Sequence, residues 1–324
     1  MKIPATLIAA TALLAVPALA QTNPGLMLVP WAPETNVQLS GSAFVQDTES
    51  SQTGLDADFA IFDAAGRFRL DGDSSLDPTL GFDYTHLEID TADAALPEHL
   101  VDVSLAFGGR LNEIDLGETL GGTWQWGYTL GFGYAGTAPF ADGDAWYGLG
   151  SIYGVLPFDR DARLVVALEY DGNRVFLPDV PLPAITYFDR LNEEVTYGLG
   201  FPFSNLTWTP NDRWTLRITS FVFVSAEAKV TYRATDDLEL FAAYDSRSEA
   251  FQLANDNGSR RLIFEQQRLE AGVNYKLGGR WELTAAGGYA FDQEFDRGYD
   301  IRETTSIRDL DDGGYFRLGI NLRF

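Results

Sequence analysis

The sequence predicts an all-β protein: a transmembrane antiparallel β-barrel of about 14 strands, with 12 as the other count open to it. Three observations predict it. Stretch after stretch alternates apolar and polar residues with period two, the connections alternate short and long, and aromatics gather near both ends of the stretches. The last ten residues show the alternation most clearly. There Phe316, Leu318, Ile320, Leu322 and Phe324 share one face and Arg317, Gly319, Asn321 and Arg323 the other. A wall between lipid and a wetted interior requires that pattern.

Residues 1–20, MKIPATLIAATALLAVPALA, carry Lys2, a short apolar run and small residues at Ala18 and Ala20. They read as a secretory signal cleaved after Ala20, with an apolar core too short to span a membrane. Residues 21–36 read as a Pro-rich periplasmic lead-in, and 37–324 as the barrel. No later run of eighteen apolar residues occurs, so any membrane crossing is made by strands. A formal net charge of −24 argues against nucleic acid as a partner, because phosphate contacts need a basic surface. The absence of cysteine removes disulfides and thiolate chemistry.

Alternating segments run over 37–46, 57–70, 78–89, 99–109, 122–134, 144–156, 162–171, 194–208, 212–222, 226–235, 237–251, 260–277, 279–292 and 314–324. Trp124, Trp126, Tyr128, Leu130, Phe132 and Tyr134 oppose Thr123, Gln125, Gly127, Thr129, Gly131 and Gly133. Trp281, Leu283, Ala285, Tyr289 and Phe291 oppose Glu282, Thr284 and Ala286. Over 144–156 both faces look alike, and over 194–208 the parity switches after Phe203, which a bulge near Pro202 would explain. Short turns at 157–161, 209–212, 235–237 and 277–280 fall on one side, and long connections at 135–143, 172–193, 252–259 and 293–313 on the other. With both termini periplasmic, the long connections are external. The tight connection near Val224 and Ser225 is the exception.

On this topology Trp126, Trp214, Tyr232, Tyr275, Trp281 and Phe324 fall near the periplasmic rim, and Tyr134, Trp146, Tyr170, Tyr197, Tyr244 and Tyr289 near the outer one. Two such girdles are what membrane interfaces select.

Inward positions collect charge of both signs. The first half contributes Asp63, Arg67, Arg69, Asp102, Arg163 and Glu169. The middle contributes Arg213, Arg217, Glu227, Lys229, Arg233, Glu239, Asp245 and Arg247, and the last strands Arg268, Glu270, Lys276, Glu282, Arg317 and Arg323. Such a lining suits either a wetted pore or a lattice of salt bridges. The external loops are acidic, with Asp47, Glu49, Asp56, Asp93, Asp142, Asp309 and Asp311 among them. Residues 174–188 (RVFLPDVPLPAITYF) are unusually apolar for an external loop, which suggests inward folding as a constriction; 292–313 suggests an extended hairpin. Neither 71–77 nor 309–314 completes a calcium-loop pattern, so no metal site is expected.

Catalysis is not expected. The only histidines, His86 and His99, lie near the outer rim, and no G-x-S-x-G elbow occurs. Glu88 and Val101 occupy the places two residues on, where an outer-membrane phospholipase would carry serine.

The signal peptide, the stretch YGLGFPFSNLTWTPNDRWTL (197–216) and the strand series from there to Phe324 resemble a family of bacterial outer-membrane β-barrels known as a domain of unknown function, porin-like in kind. The resemblance is best in the carboxy-terminal half and implies no substrate. The likeness to long-chain fatty-acid transporters is weaker, because those need a substantial amino-terminal plug and 21–36 is too short to supply one. Phe316, Leu318, Ile320, Leu322 and Phe324 resemble the terminal-strand signal read by the barrel assembly machinery. The expectation is therefore a bacterial outer-membrane protein with membrane lipid and that machinery as partners and no cofactor. It would be a passive or weakly selective channel for small hydrophilic solutes, or alternatively a non-conducting structural or surface-binding barrel with acidic external loops.

Overall fold

The computed structural model describes residues 25–29, 31, 35–70, 78–137, 139–158, 161–222, 224–254 and 260–324. The segment read as a signal peptide and residues 71–77 lie outside these. A helix, Gly25–Leu28, comes first. Then follow β1 (Val37–Gln46), β2 (Ala57–Arg69), β3 (Thr79–Thr91), β4 (His99–Arg110), β5 (Ile114–Asp115) and β6 (Thr123–Gly136). Next come β7 (Trp146–Pro157), β8 (Arg163–Asp171), β9 (Leu182–Arg190), β10 (Val195–Phe201), β11 (Phe203–Asn211) and β12 (Trp214–Phe221). The chain ends with β13 (Ser225–Arg233), β14 (Leu238–Gln252), β15 (Arg261–Leu277), β16 (Trp281–Gly298), β17 (Thr304–Leu310) and β18 (Gly313–Arg323).

Sixteen of these strands close an antiparallel barrel, while β5 leans on the foot of β6 and β17 extends β16 as a hairpin. Closure is made by β1, which pairs with β2 on one side and β18 on the other. Phe324 holds the seam. Its carbonyl accepts from the backbone N–H of Asn36 (2.6 Å) and Val37 (2.9 Å), and its own N–H donates to Val37 O at 2.9 Å. The two ends of the barrel chain therefore meet at one rim, here called the terminal rim. The opposite rim, here called the loop rim, carries the connections after β1, β3, β6, β8, β10, β12, β14 and β16.

The count of fourteen is corrected at two places. Residues 182–190, read as part of a long loop, form β9, paired with β8 and β10. Its inward Leu182, Ala184 and Phe188 are as apolar as its outward Ile185 and Tyr187, and Pro183 sits within it, so period two is invisible there. Residues 194–208, read as one strand with a bulge, are a hairpin: Val195 pairs with Trp208 and Gly198 with Asn205. The parity switch after Phe203 is thus a reversal of the chain. Together the corrections add two strands, which leaves the direction of every other strand unchanged. The tail of the chain does form the extended hairpin, β16 to β17.

The wall is of uneven height. β8 to β13 hold between seven and nine residues each, whereas β14, β15 and β16 hold 15, 17 and 18. Above the short strands the long ones bridge the gap, where Gln252 of β14 meets Gly136 of β6 in a parallel bridge. The narrower upper storey so formed is filled by an apolar core. Phe44, Phe59, Ile61, Leu87, Ile89, Leu100, Phe251, Leu262, Phe264, Phe295 and Tyr315 are all buried in it. Phe264 stacks on Phe295 and meets Phe59 edge-on. Arg308 of β17 ties this storey to the β3–β4 loop through a bidentate pair with Asp93.

The outside of the barrel is apolar. Leu130 is 63% exposed and Leu199 62%, and Phe62, Leu105, Phe132, Ile152, Leu168, Ile185, Leu240, Leu269, Leu283 and Leu318 join them around the wall. A continuous band of that extent has no place in water.

Candidate solute lumen

On the lower storey the inward face is polar, because period two places one residue in two toward the interior. A cavity of about 510 Å³ occupies it, lined by residues of β1 to β4, β7, β12 to β16 and β18. Several lining charges are paired across strands. Asp245 lies opposite Arg268 and accepts from it at two oxygens, 2.5 and 2.9 Å away. Arg247 reaches across the lumen from β14 to Asp63 on β2 (3.5 Å) while also holding Glu249. Arg317 donates to both oxygens of Glu270, with Nε–Oε2 at 3.0 Å. Nearer the terminal rim Lys276 Nζ pairs with Glu239 at 2.6 Å, Arg233 stands 3.9 Å from the same carboxylate, and Glu282 accepts from Asn321.

The other inward residues read from the sequence fall outside this group. Arg163 stacks over Phe188, and Glu169 meets Arg174 at 4.0 Å. Arg213 turns to the Tyr232 hydroxyl on the exposed rim (3.2 Å). Arg217 stands opposite Lys229 in register, and Arg323 lines the cavity.

Two segments narrow the lumen. One is the amino-terminal stretch, whose apolar run Leu26-Met27-Leu28-Val29 enters the barrel. Leu26 is buried against Ala106 and Leu149. Gly108 makes room for Met27, since a Cβ there would lie 2.7 Å from the Met27 side chain. Arg67, only 1% exposed, holds the stretch. Its Nη1 donates to Val29 O (2.7 Å) and Leu26 O (3.5 Å), its Nε donates to Gln38 Oε1 (2.7 Å), and its guanidinium lies 4.3 Å from the Trp31 ring centre. Arg69 lies over the other side of the same site, 4.9 Å from that ring. Sequence reasoning missed this insertion, although an uninterrupted apolar run inside a lead-in was its visible sign.

The second is the β8–β9 connection. Asn173 Nδ2 donates to Asp102 Oδ2 on β4 and to Ala250 O on β14, both at 3.0 Å. Tyr147 donates to the other Asp102 oxygen (2.7 Å), and Arg261 donates to the backbone oxygens of Asn173 and Arg174. Val175 is buried with Ala250 and Ile263. The apolar 174–188 segment thus divides: its first part folds inward, and its second is strand β9.

The aromatics read as girdles have mixed placements. Trp146, Trp214, Tyr275, Trp281 and Tyr289 are between 43% and 50% exposed on the outer wall. Trp126 stacks on Trp124, Tyr232 packs on Trp214, and the Tyr170 hydroxyl donates to Asp179. Tyr134, by contrast, is fully buried beneath Phe140 and Trp146, because the β6–β7 connection folds down over it. In β18, Phe316 and Leu318 are exposed while Ile320 and Leu322 are half-buried, and Phe324 just after it is exposed. His86 and His99 lie together on the outer face, ring centres 5.5 Å apart, beside Phe62 and Tyr84.

No protein-family model matches the chain, so the resemblance to a domain of unknown function gains no support. No curated protein matches it either. Solved structures with a similar fold include a Pseudomonas aeruginosa FadL homologue, 10% identical with a TM-score of 0.44, covering 95% of this chain and 96% of that one. The Pseudomonas putida toluene transporter TodX is 9% identical with a TM-score of 0.37, covering 90% of each chain. The translocator domain of autotransporter NalP from Neisseria meningitidis is 13% identical with a TM-score of 0.29, covering 90% of this chain and 89% of that one. Likeness at these values leaves function to be read from the lumen itself.

Proposed function

We propose that the chain is a bacterial outer-membrane β-barrel whose polar lumen passes small hydrophilic solutes, with the amino-terminal stretch as an internal gate. The observation that carries this reading is the pairing of opposites across one wall: an apolar belt outside, and inside it a 510 Å³ cavity lined with charges and hydroxyls. A lipid-embedded wall around water gives that arrangement. In this reading both termini are periplasmic, residues 1–20 are a cleaved secretory signal, and the long loops face outward. The girdle tryptophans and tyrosines seat the barrel at the lipid interfaces, and β18 with the following Phe324 presents the assembly signal to the barrel assembly machinery. Single-channel recording in a planar bilayer tests it. Conductance steps that grow when Arg67 no longer holds the amino-terminal stretch support it, and a silent bilayer for both proteins sinks it.

A specific observation favours a second reading, a non-conducting structural or surface-binding barrel. The apolar core of the upper storey and the inward β8–β9 connection stand across the straight path from the cavity to the loop rim. Silence in the bilayer together with unchanged folding supports this alternative.

A further inference from the structure

We propose that the lumen contains a recognition site for a small zwitterion, a free amino acid in chemical class, built by Glu227 and Lys229 of β13. The site rests on the reading of the lumen as a solute space. Both residues line the cavity. Being two apart on one strand, they rise from the same face with bases about 7 Å apart.

What sets them apart is how the neighbouring charges are spent. Arg247, Arg268 and Arg317 are each held by carboxylates. Glu227 and Lys229 are not: no nitrogen–oxygen approach of 4.0 Å or less joins either to an opposite charge among the described residues. Lys229 instead rests its ammonium 4.2 Å from the Phe241 ring centre, and Glu227 accepts no hydrogen bond among the described residues. Each is the other's principal counter-charge, yet neither is in ion-pair contact, so each can take a ligand group or water.

The surroundings sort the two ends by sign. Arg217 stands opposite Lys229 in register, which adds a second positive charge at that end. Asp245 stands opposite Glu227 on the other side, which adds a second negative charge at that end. A ligand with an ammonium toward Glu227 and a carboxylate toward Lys229 matches both ends at once. A lone cation or a lone anion matches one and leaves the other exposed. Hydroxyls of Thr219, Ser225 and Ser246 border the site and offer neutral hydrogen bonds to the rest of the ligand.

The test is calorimetric titration of the folded full-length barrel in detergent with glycine, and separately with acetate and methylammonium. Glycine is expected to bind at least about tenfold more tightly than either fragment, and Glu227→Gln and Lys229→Gln each to weaken glycine by about tenfold or more. The exchanged double variant, Glu227→Lys with Lys229→Glu, sets each new charge opposite a counter-charge, Asp245 and Arg217, and is expected to lose glycine binding as well. Equal affinities for glycine and the fragments, or an unaltered glycine affinity in Glu227→Gln, overturns the site. The wild-type comparison decides even where a variant fails to fold. Glycine binding without bilayer conductance removes the channel reading and keeps the site. Conductance without discrimination removes the site alone.

Discussion

Arg317 on β18 and Glu270 on β15 form a bidentate ion pair although a whole strand, β16, runs between them. The pair closes over Gly288, which lies opposite Glu270 on one side and Tyr315 on the other. A Cβ at Gly288 would stand 2.4 Å from the Leu269 carbonyl and 2.6 Å from the Tyr315 ring. The glycine is thus the low point that lets Arg317 and Tyr315, whose hydroxyl also donates to Glu270, reach a partner two strands away.

Replacing Gly288 with valine forces that ring and its backbone apart. A loss of about 1–3 kcal/mol of stability is expected, the usual cost of overpacking. Urea unfolding from lipid vesicles, followed by tryptophan fluorescence, measures it; an unshifted midpoint removes the crossing from the account of stability.

Arg67 makes the second prediction. In a chain without cysteine, Met27→Cys provides a single thiol inside the lumen. With Arg67 present the thiol reacts slowly with a water-soluble maleimide. With Arg67→Gln the stretch loses charge-assisted hydrogen bonds and the rate rises about tenfold or more. Equal labelling rates would show that something other than Arg67 retains the segment.

The outer wall supplies a third. Leu130→Arg puts a cation on the lipid-facing side of β6, where the midplane cost is about 2–4 kcal/mol. Leu130→Ile costs almost nothing. The same vesicle unfolding assay compares them, and parity between the two substitutions denies that Leu130 faces lipid.

A fourth concerns pH. The hydrogen bonds from Arg308 hold the Asp93 carboxyl below its ordinary value. A carboxylate depressed on folding adds stability that is complete above its unfolded value, about 3.9, and is lost as pH falls through the lower folded value. Thermal unfolding of the wild type and of Asp93→Asn should therefore differ near neutral pH and converge in acid. A gap that widens on acidification contradicts the assignment.

Much of the fold was legible because lipid enforces period two so strictly. β6, β15, β16 and β18 each carry an outward apolar row that no other arrangement explains. Reading failed where that rule loses contrast. β9 is apolar on both faces, and the β10–β11 reversal at Pro202 mimics a bulge. The interior charges could be read one by one, since parity shows which way a residue points. Their partners could not, because Arg247 to Asp63 and Arg317 to Glu270 join strands that are not neighbours. The two lumen segments escaped for a related reason: nothing in local periodicity tells a loop that crosses a cavity from one that leaves it.

The uneven wall also bears on the surrounding bilayer. β10, with seven residues, spans roughly 23 Å along its own axis, against roughly 60 Å for the eighteen of β16. In the membrane setting proposed above, the hydrocarbon layer would dip on the β10 flank to meet the protein and keep its natural depth on the β16 flank. On that reading the molecule is a wedge to its lipids, and the thinned flank is where a neighbouring membrane protein with a similarly short belt would cost the bilayer least to accommodate.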